Sequence, residues 1–299
     1  MWALVALASA AIFAVTSIVD KHVLDRRFPS VVSFYVWLAL QHLVFVGIVL
    51  AATGIPWDAS AENLLIAFSS GLCIGAGFAF LFFGLKLEEV SRANAITEVY
   101  PVYVALLAVA FLGEVLDPVQ WVAILLVVMG AILVSLRGGS GGGLPRWSRG
   151  MPFLLATGIG QGLGYFTLKH ALGDLPIWTV FAFQQMGLML MFGLYARPRA
   201  WRELVFVLRD KRFLLVMVSA EGVLPFFAIA LSIWAVSLGP VSLVVALMAT
   251  RPLFVFAGSS ILSNRRWRLM EESVAPATLA YKAASITMIV VGASTLGLY

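Results

Sequence analysis

The sequence predicts an all-α membrane protein in which ten transmembrane helices form two inverted five-helix repeats. Three observations predict it. Of 299 residues, 62% are hydrophobic and 12% charged, with a mean hydropathy of +0.99, whereas a soluble domain carries about 45–50% apolar and about 25% charged residues. The apolar residues run unbroken, as from Trp121 to Leu136, and do not alternate over short segments as in a β-barrel wall. Finally, short stretches of the first half of the chain reappear in the second. This composition excludes a soluble enzyme.

A helix that crosses a bilayer takes about 20 apolar residues. The segments that meet this are 1–20, 31–52, 64–85, 93–112, 118–136, 152–170, 177–196, 213–236, 240–262 and 274–298. The first has no basic stretch ahead of it and its continuation is repeated later, so it is read as a span and not as a signal peptide. Seventeen of the 20 lysines and arginines fall in the odd-numbered connections, and the even-numbered ones have only Lys169 at their edge. Positive residues remain on the cytoplasmic side, which puts both termini outside. The net charge of +5 therefore orients helices and implies no nucleic-acid partner. Cys73 is the one cysteine, inside an apolar run, so neither an intrachain disulfide nor a cysteine metal cluster is expected.

The repeat is carried by short matches. Lys21-His22-Val23-Leu24 returns as Lys169-His170-Ala171-Leu172, followed at matching distances by Pro29 and Pro176. Val90-Ser91 and Pro101 match Val241-Ser242 and Pro252 at an offset of 151, and Met129-Gly130-Ala131 matches Val291-Gly292-Ala293 beyond an insertion in the ninth connection. The units are 1–137 and 150–299, with 138–149 as a glycine-rich linker. Five spans per unit force opposite orientations, the arrangement by which secondary transporters expose one central site to each side in turn.

The chain resembles the drug/metabolite transporter superfamily in its EamA-like branch. Lys21, Pro101, Gly113-Glu114, Trp121 and Gly130 carry the resemblance in the first half, and Lys169, Pro252 and Gly292 in the second, where Asn264-Arg265 replaces the Gly-Glu. The resemblance implies a ten-helix bundle with a cavity between the halves. It also implies substrates ranging from amino acids to nucleotide sugars and drugs, and termini in the cytoplasm, opposite to the charge count.

Ionisable groups inside a span cost about 2.5–3.5 kcal/mol on insertion scales, so each is a candidate for function. Arg251 precedes Pro252 near the middle of the ninth segment, Glu98 lies three residues before Pro101, and Glu221 lies ahead of Gly222 and Pro225. A guanidinium offers two parallel donors to a carboxylate or phosphate. The bland alternative is a structural pair of Arg251 with Glu98 or Glu221. Either carboxyl could instead carry a coupling proton. Lys21 and Lys169, with His22 and His170, read first as interfacial residues, and the resemblance adds Lys21 and Lys169 to the substrate-binding set. Lys282 lines the cavity or pairs with Glu221. Tyr100, Tyr103, Tyr165 and Trp234 could stack on a substrate, and Gln41, His42, Gln161, Gln184 and Gln185 are either a polar path or glue between helices. Gly71, Gly75, Gly158, Gly160, Gly162 and Gly164 have the spacing of close helix packing.

The reading is a secondary transporter, an exporter or exchanger, of a small metabolite bearing a carboxylate or phosphate, multi-pass in the cell membrane and coupled to protons. No cofactor is expected, and the protein is a monomer or homodimer. A flippase for a phosphorylated lipid is the alternative within transport; a membrane-embedded enzyme or structural protein is the alternative outside it. Against the enzyme, HExxH, GxSxG and GxxxxGK[ST] motifs are missing from the sequence.

Overall fold

In the computed structural model the described residues are 1–87, 96–136, 149–262 and 276–298. They are helical throughout, with no strand among them. Five helices belong to the first half: α1 (Trp2–Arg26), α2 (Val31–Thr53), α3 (Ala61–Leu87), α4 (Tyr100–Phe111) and α5 (Pro118–Leu136). The second half holds α6 (Met151–Asp174), α7 (Ile177–Gly193), α8 (Pro198–Val207), α9 (Lys211–Val218), α10 (Leu224–Leu238), α11 (Val241–Met248), α12 (Arg251–Leu262) and α13 (Pro276–Leu296). One π turn, Ser219–Val223, joins α9 to α10.

Local chemistry sets these boundaries. Ser30 caps α2 from an extended conformation and accepts from the Ser33 N–H at 3.2 Å, and Gly54, at φ +81°, ends the helix where a side chain would be strained. The Asp210 carboxylate caps α9 through the Arg212 and Phe213 N–H groups. Between α7 and α9 the short helix α8 turns 108° from α7, placing Ala200, Leu204 and Val207 inward against α2 while Phe206 stays exposed. Its Glu203 accepts from the Ser30 hydroxyl and from Arg199, which together hold this carboxyl below its ordinary range.

Among the described residues four helical stretches are long and apolar enough to cross a membrane: Trp2–Asp20, Val31–Thr53, Ala61–Gly84 and the continuous rod Lys211–Leu238; the bent pair α7–α8 is a fifth if it counts as one span. Ten were expected. Two of the remainder, α4 and α11–α12, are shortened by breaks before Pro101 and Pro252, and α6 is diluted by glycine, glutamine and threonine. The glycine-rich linker, Val90-Ser91, Asn264-Arg265 and the side chains of Lys21, His22 and Lys282 lie outside the described residues.

The glycines do what their spacing suggests. Along the α3–α6 contact a Cβ on Gly160 would stand 2.8 Å from the Cys73 carbonyl, and one on Gly77 would stand 3.1 Å from that of Thr157. Gly130 of α5 rests on Ile289 and Ser285, and Gly292 of α13 rests on Ala123 and Val127. Such approach lets backbones pack where lipid supplies no hydrophobic drive. The largest buried apolar cluster fills the middle, with α11 contributing every residue from Val241 to Met248 except Ser242.

Candidate functional site

Two interrupted helices meet at the centre. Proline offers no N–H to the fourth residue back, so the chain leaves helical geometry ahead of it. Glu98 and Val99 form a turn before α4, and Ala249 and Thr250 form one between α11 and α12. Each break presents a side chain. Arg251 donates from Nη2 to Glu98 Oε1 at 3.4 Å, a long contact made by one nitrogen only. Glu98 is 3% exposed, and its Oε2 has no hydrogen-bond partner among the described residues. Arg251 is 29% exposed. Among the described residues the guanidinium has no second acceptor.

Tyr100 and Tyr165 border this pair, their rings stacked at 6.0 Å and 27°. The Tyr165 hydroxyl lies 3.5 Å from Ser232 Oγ and 4.0 Å from the Met248 sulfur. The site therefore has one cation, one carboxyl with a spare oxygen and an aromatic wall.

Glu221 stands apart from Arg251's partner. It lies in the π turn, which arises because Pro225 cannot donate to the Glu221 carbonyl; the Leu224 N–H reaches back to Ser219 instead. Glu221 is 2% exposed and faces Asp20 of α1 at hydrogen-bonding range. Asp20 was missed in the sequence because the first apolar run ends at Val19, which reads as a span terminus. In the structure α1 continues to Arg26, so Asp20 lies well inside the helix. It is near enough to Arg251 to feel its charge.

The other candidates are distributed differently. The Lys169 ammonium donates to the Val236 and Gly239 carbonyls, at 2.9 and 2.8 Å, and so closes the end of α10. His42 Nδ1 lies 2.7 Å from Gln185 Oε1, joining α2 to α7, and Gln184 Nε2 donates to Ser70 Oγ at 3.0 Å, joining α7 to α3. These glutamines are glue. Tyr103 packs on Gly158 and Gly162, while Trp234 and His170 are exposed.

The model of the EamA-like transporter family matches residues 1–136. A curated protein from Sinorhizobium sp, described as an uncharacterized transporter in the cobO 3' region, is 30% identical over 139 residues, which is 45% of this chain and 94% of that protein. The chain belongs to the EamA-like transporter family. As a member of this branch of the drug/metabolite transporter superfamily it is a multi-pass membrane protein whose role is transport. One solved crystal structure, only 17% identical, aligns over 99% of this chain and 96% of its own with a TM-score of 0.66. The shared fold thus extends through the second half as well.

In this EamA-like transporter the Gly113-Glu114 pair has a visible task. Gly113, at φ +67°, turns the chain, and Glu114 accepts from the Val241 N–H at 2.6 Å, the Ser242 N–H at 3.3 Å and the Ser242 hydroxyl. A carboxylate of the first half thereby caps a helix of the second. Glu114→Ala is expected to lower stability by about 1–2 kcal/mol, the cost of a lost N-cap, and Glu114→Gln by less. Thermal melts in detergent check this order.

Proposed function

We propose that the chain is a secondary transporter, an exporter or exchanger, that moves a small metabolite bearing a carboxylate or phosphate by alternating access. In this reading ten membrane-crossing segments form two inverted five-helix repeats, 1–137 and 150–299, in the plasma membrane. The observation that carries it is Arg251 at a helix break, joined to Glu98 by one long contact and still 29% exposed. A ligand acid would take the free guanidinium N–H groups, and an ammonium or hydroxyl on the same ligand would satisfy Glu98 Oε2. Tyr100 and Tyr165 would flank its body. The coupling ion we assign is the proton, carried on the Asp20–Glu221 pair, since two carboxyls this close in a dry place share a proton more readily than they both ionise.

Support for the repeats comes from matching contacts. Ser9 Oγ donates to the Ala228 carbonyl, joining α1 to α10, and at the corresponding positions Thr157 of α6 meets Gly77 of α3.

The test is thermal stabilisation of purified wild type and Arg251→Ala by amino acids, organic acids, sugar phosphates, organic cations and lipid phosphates. A ligand at 100 times its Kd adds roughly 2.7 kcal/mol. Stabilisation of the wild type alone by acids is the expected result. Equal stabilisation of both proteins, or by cations only, would remove Arg251 from the binding site.

A further inference from the structure

The offset of 151 that relates Pro101 to Pro252 also relates Ser70-Gly71 of α3 to Glu221-Gly222 of the π turn. On the facing helices, the offset of 147 that relates Pro29 to Pro176 sets Gln184 of α7 against Trp37 of α2, with Gln41 one turn further along, and His42 and Gln185 are in direct contact. Two interhelix contacts should therefore be equivalent. They are not.

On one side the contact is closed. Gln184 donates to Ser70, Ser70 donates to the Gly164 carbonyl, and Gly71 is pressed so tightly on the Gln184 carbonyl that a Cβ would overlap it. Here α3 lies along α7. On the other side, Gln41 Oε1 and Glu221 Oε1 are both buried without a hydrogen-bond partner among the described residues. A Cβ on Gly222 would meet nothing nearer than the Met217 carbonyl at 3.8 Å. Sustained packing between α2 and the Ser219–Leu238 stretch is absent among the described residues. Buried polar atoms are normally paired, so an orphan at the position matching Ser70, facing another one turn from the position matching Gln184, marks a contact made in another conformation.

We propose that Gln41 and Glu221 form the gate of the opposite-facing state, the Glu221 carboxyl in its protonated form donating to Gln41 Oε1 and Gly222 seating on α2, while Gln184 and Ser70 part. The proposal rests on the alternating-access reading above. Two features allow the swing. The π turn interrupts the regular hydrogen-bond ladder beside Glu221. One turn further on, Phe226 keeps ring contacts of 5.2 Å with both Phe45 and Phe181, a fulcrum about which the Gly222 end can close. Closure would also take Glu221 away from Asp20, and so links the gate to the carboxyl pair.

The test is cross-linking in vesicles of phosphatidylcholine and phosphatidylglycerol. A Cys73→Ser background with a protease site in the 138–149 linker receives either Ser70→Cys/Gln184→Cys or Gln41→Cys/Glu221→Cys. After oxidation and cleavage, cross-linked halves stay together on a gel. Both pairs are expected to link. Adding Gly71→Ala, which crowds the closed side, should raise the yield of the Gln41/Glu221 pair roughly fivefold, and Gly222→Ala should lower it. A Gln41/Glu221 pair that never links, or a yield indifferent to Gly222→Ala, would overturn the gate; if Gly71→Ala does not fold, Gly222→Ala decides alone. No solute is needed. A failed gate with acid-stabilised wild type leaves the transporter reading standing, and a working gate with no acid binding removes only the substrate assignment.

Discussion

Arg251→Ala should lose all stabilisation by acids and all transport of them, and it should also cost about 3 kcal/mol of stability, because removing one partner leaves the other as an uncompensated buried charge. Glu98, at 3% exposure, is the group left behind. The two effects separate in the double variant Arg251→Met/Glu98→Gln, where neither charge remains. Replacing a buried pair by neutral groups of similar size is often neutral or stabilising, so this variant should melt near the wild type yet fail to respond to acids. Arg251→Lys should fold and bind weakly, as a point charge lacks the two-pronged fit. A double variant that is folded and still stabilised by acids would show that the anion binds elsewhere. Thermal shift and vesicle uptake together read all three outcomes.

Gly160→Leu should be among the most destabilising single changes in the chain. A Cβ there already stands 2.8 Å from the Cys73 carbonyl and 3.0 Å from the Gly77 backbone, and neither is a flexible side-chain end that can step aside. Overpacking of this kind costs about 1–3 kcal/mol and occasionally more. The upper end is expected because the full leucine side chain must force α3 from α6. Gly173→Ala in the same helix is the control, since nothing lies within 4 Å of its Cβ position. It should be neutral or stabilising by up to about 1 kcal/mol through helix propensity. Similar melting temperatures for the two variants would refute the close-packing account.

The helical class and the close packing at the glycines were legible because apolar runs and glycine spacing are local signals, whereas the partner helices were not: Gly71 and Gly75 of α3 lie on α7, and Gly77 lies on α6. The breaks at Glu98 and Arg251 were legible too, since a proline acts on the residues just ahead of it. The partner of Arg251 was not, because Glu98 and Glu221 are equally ionisable on paper and only the packing of α4 beside α11, just ahead of Arg251, decides between them. Asp20 was lost to a boundary effect: a charged residue beside Lys21 looks like a span's end until the helix is seen to continue. Lys169, matched by the repeat and by the family resemblance, turns out to hold two carbonyls at the end of α10. A recurring residue can mark a recurring joint as well as a ligand.

The Glu114 cap has a consequence for assembly. The helix start it satisfies, at Val241, belongs to the other half, so the first half cannot complete this joint by itself. A lone unit would carry an acid with nothing to receive it and a helix whose first N–H groups go unmet. The joint works as a key: it closes only when the second half presents the start of α11 to the acid. Residues 1–136 and 149–299 made as separate chains should therefore find each other in the membrane, the acid choosing their register, and the glycine-rich tether of the intact chain should only speed that meeting by raising their local concentration.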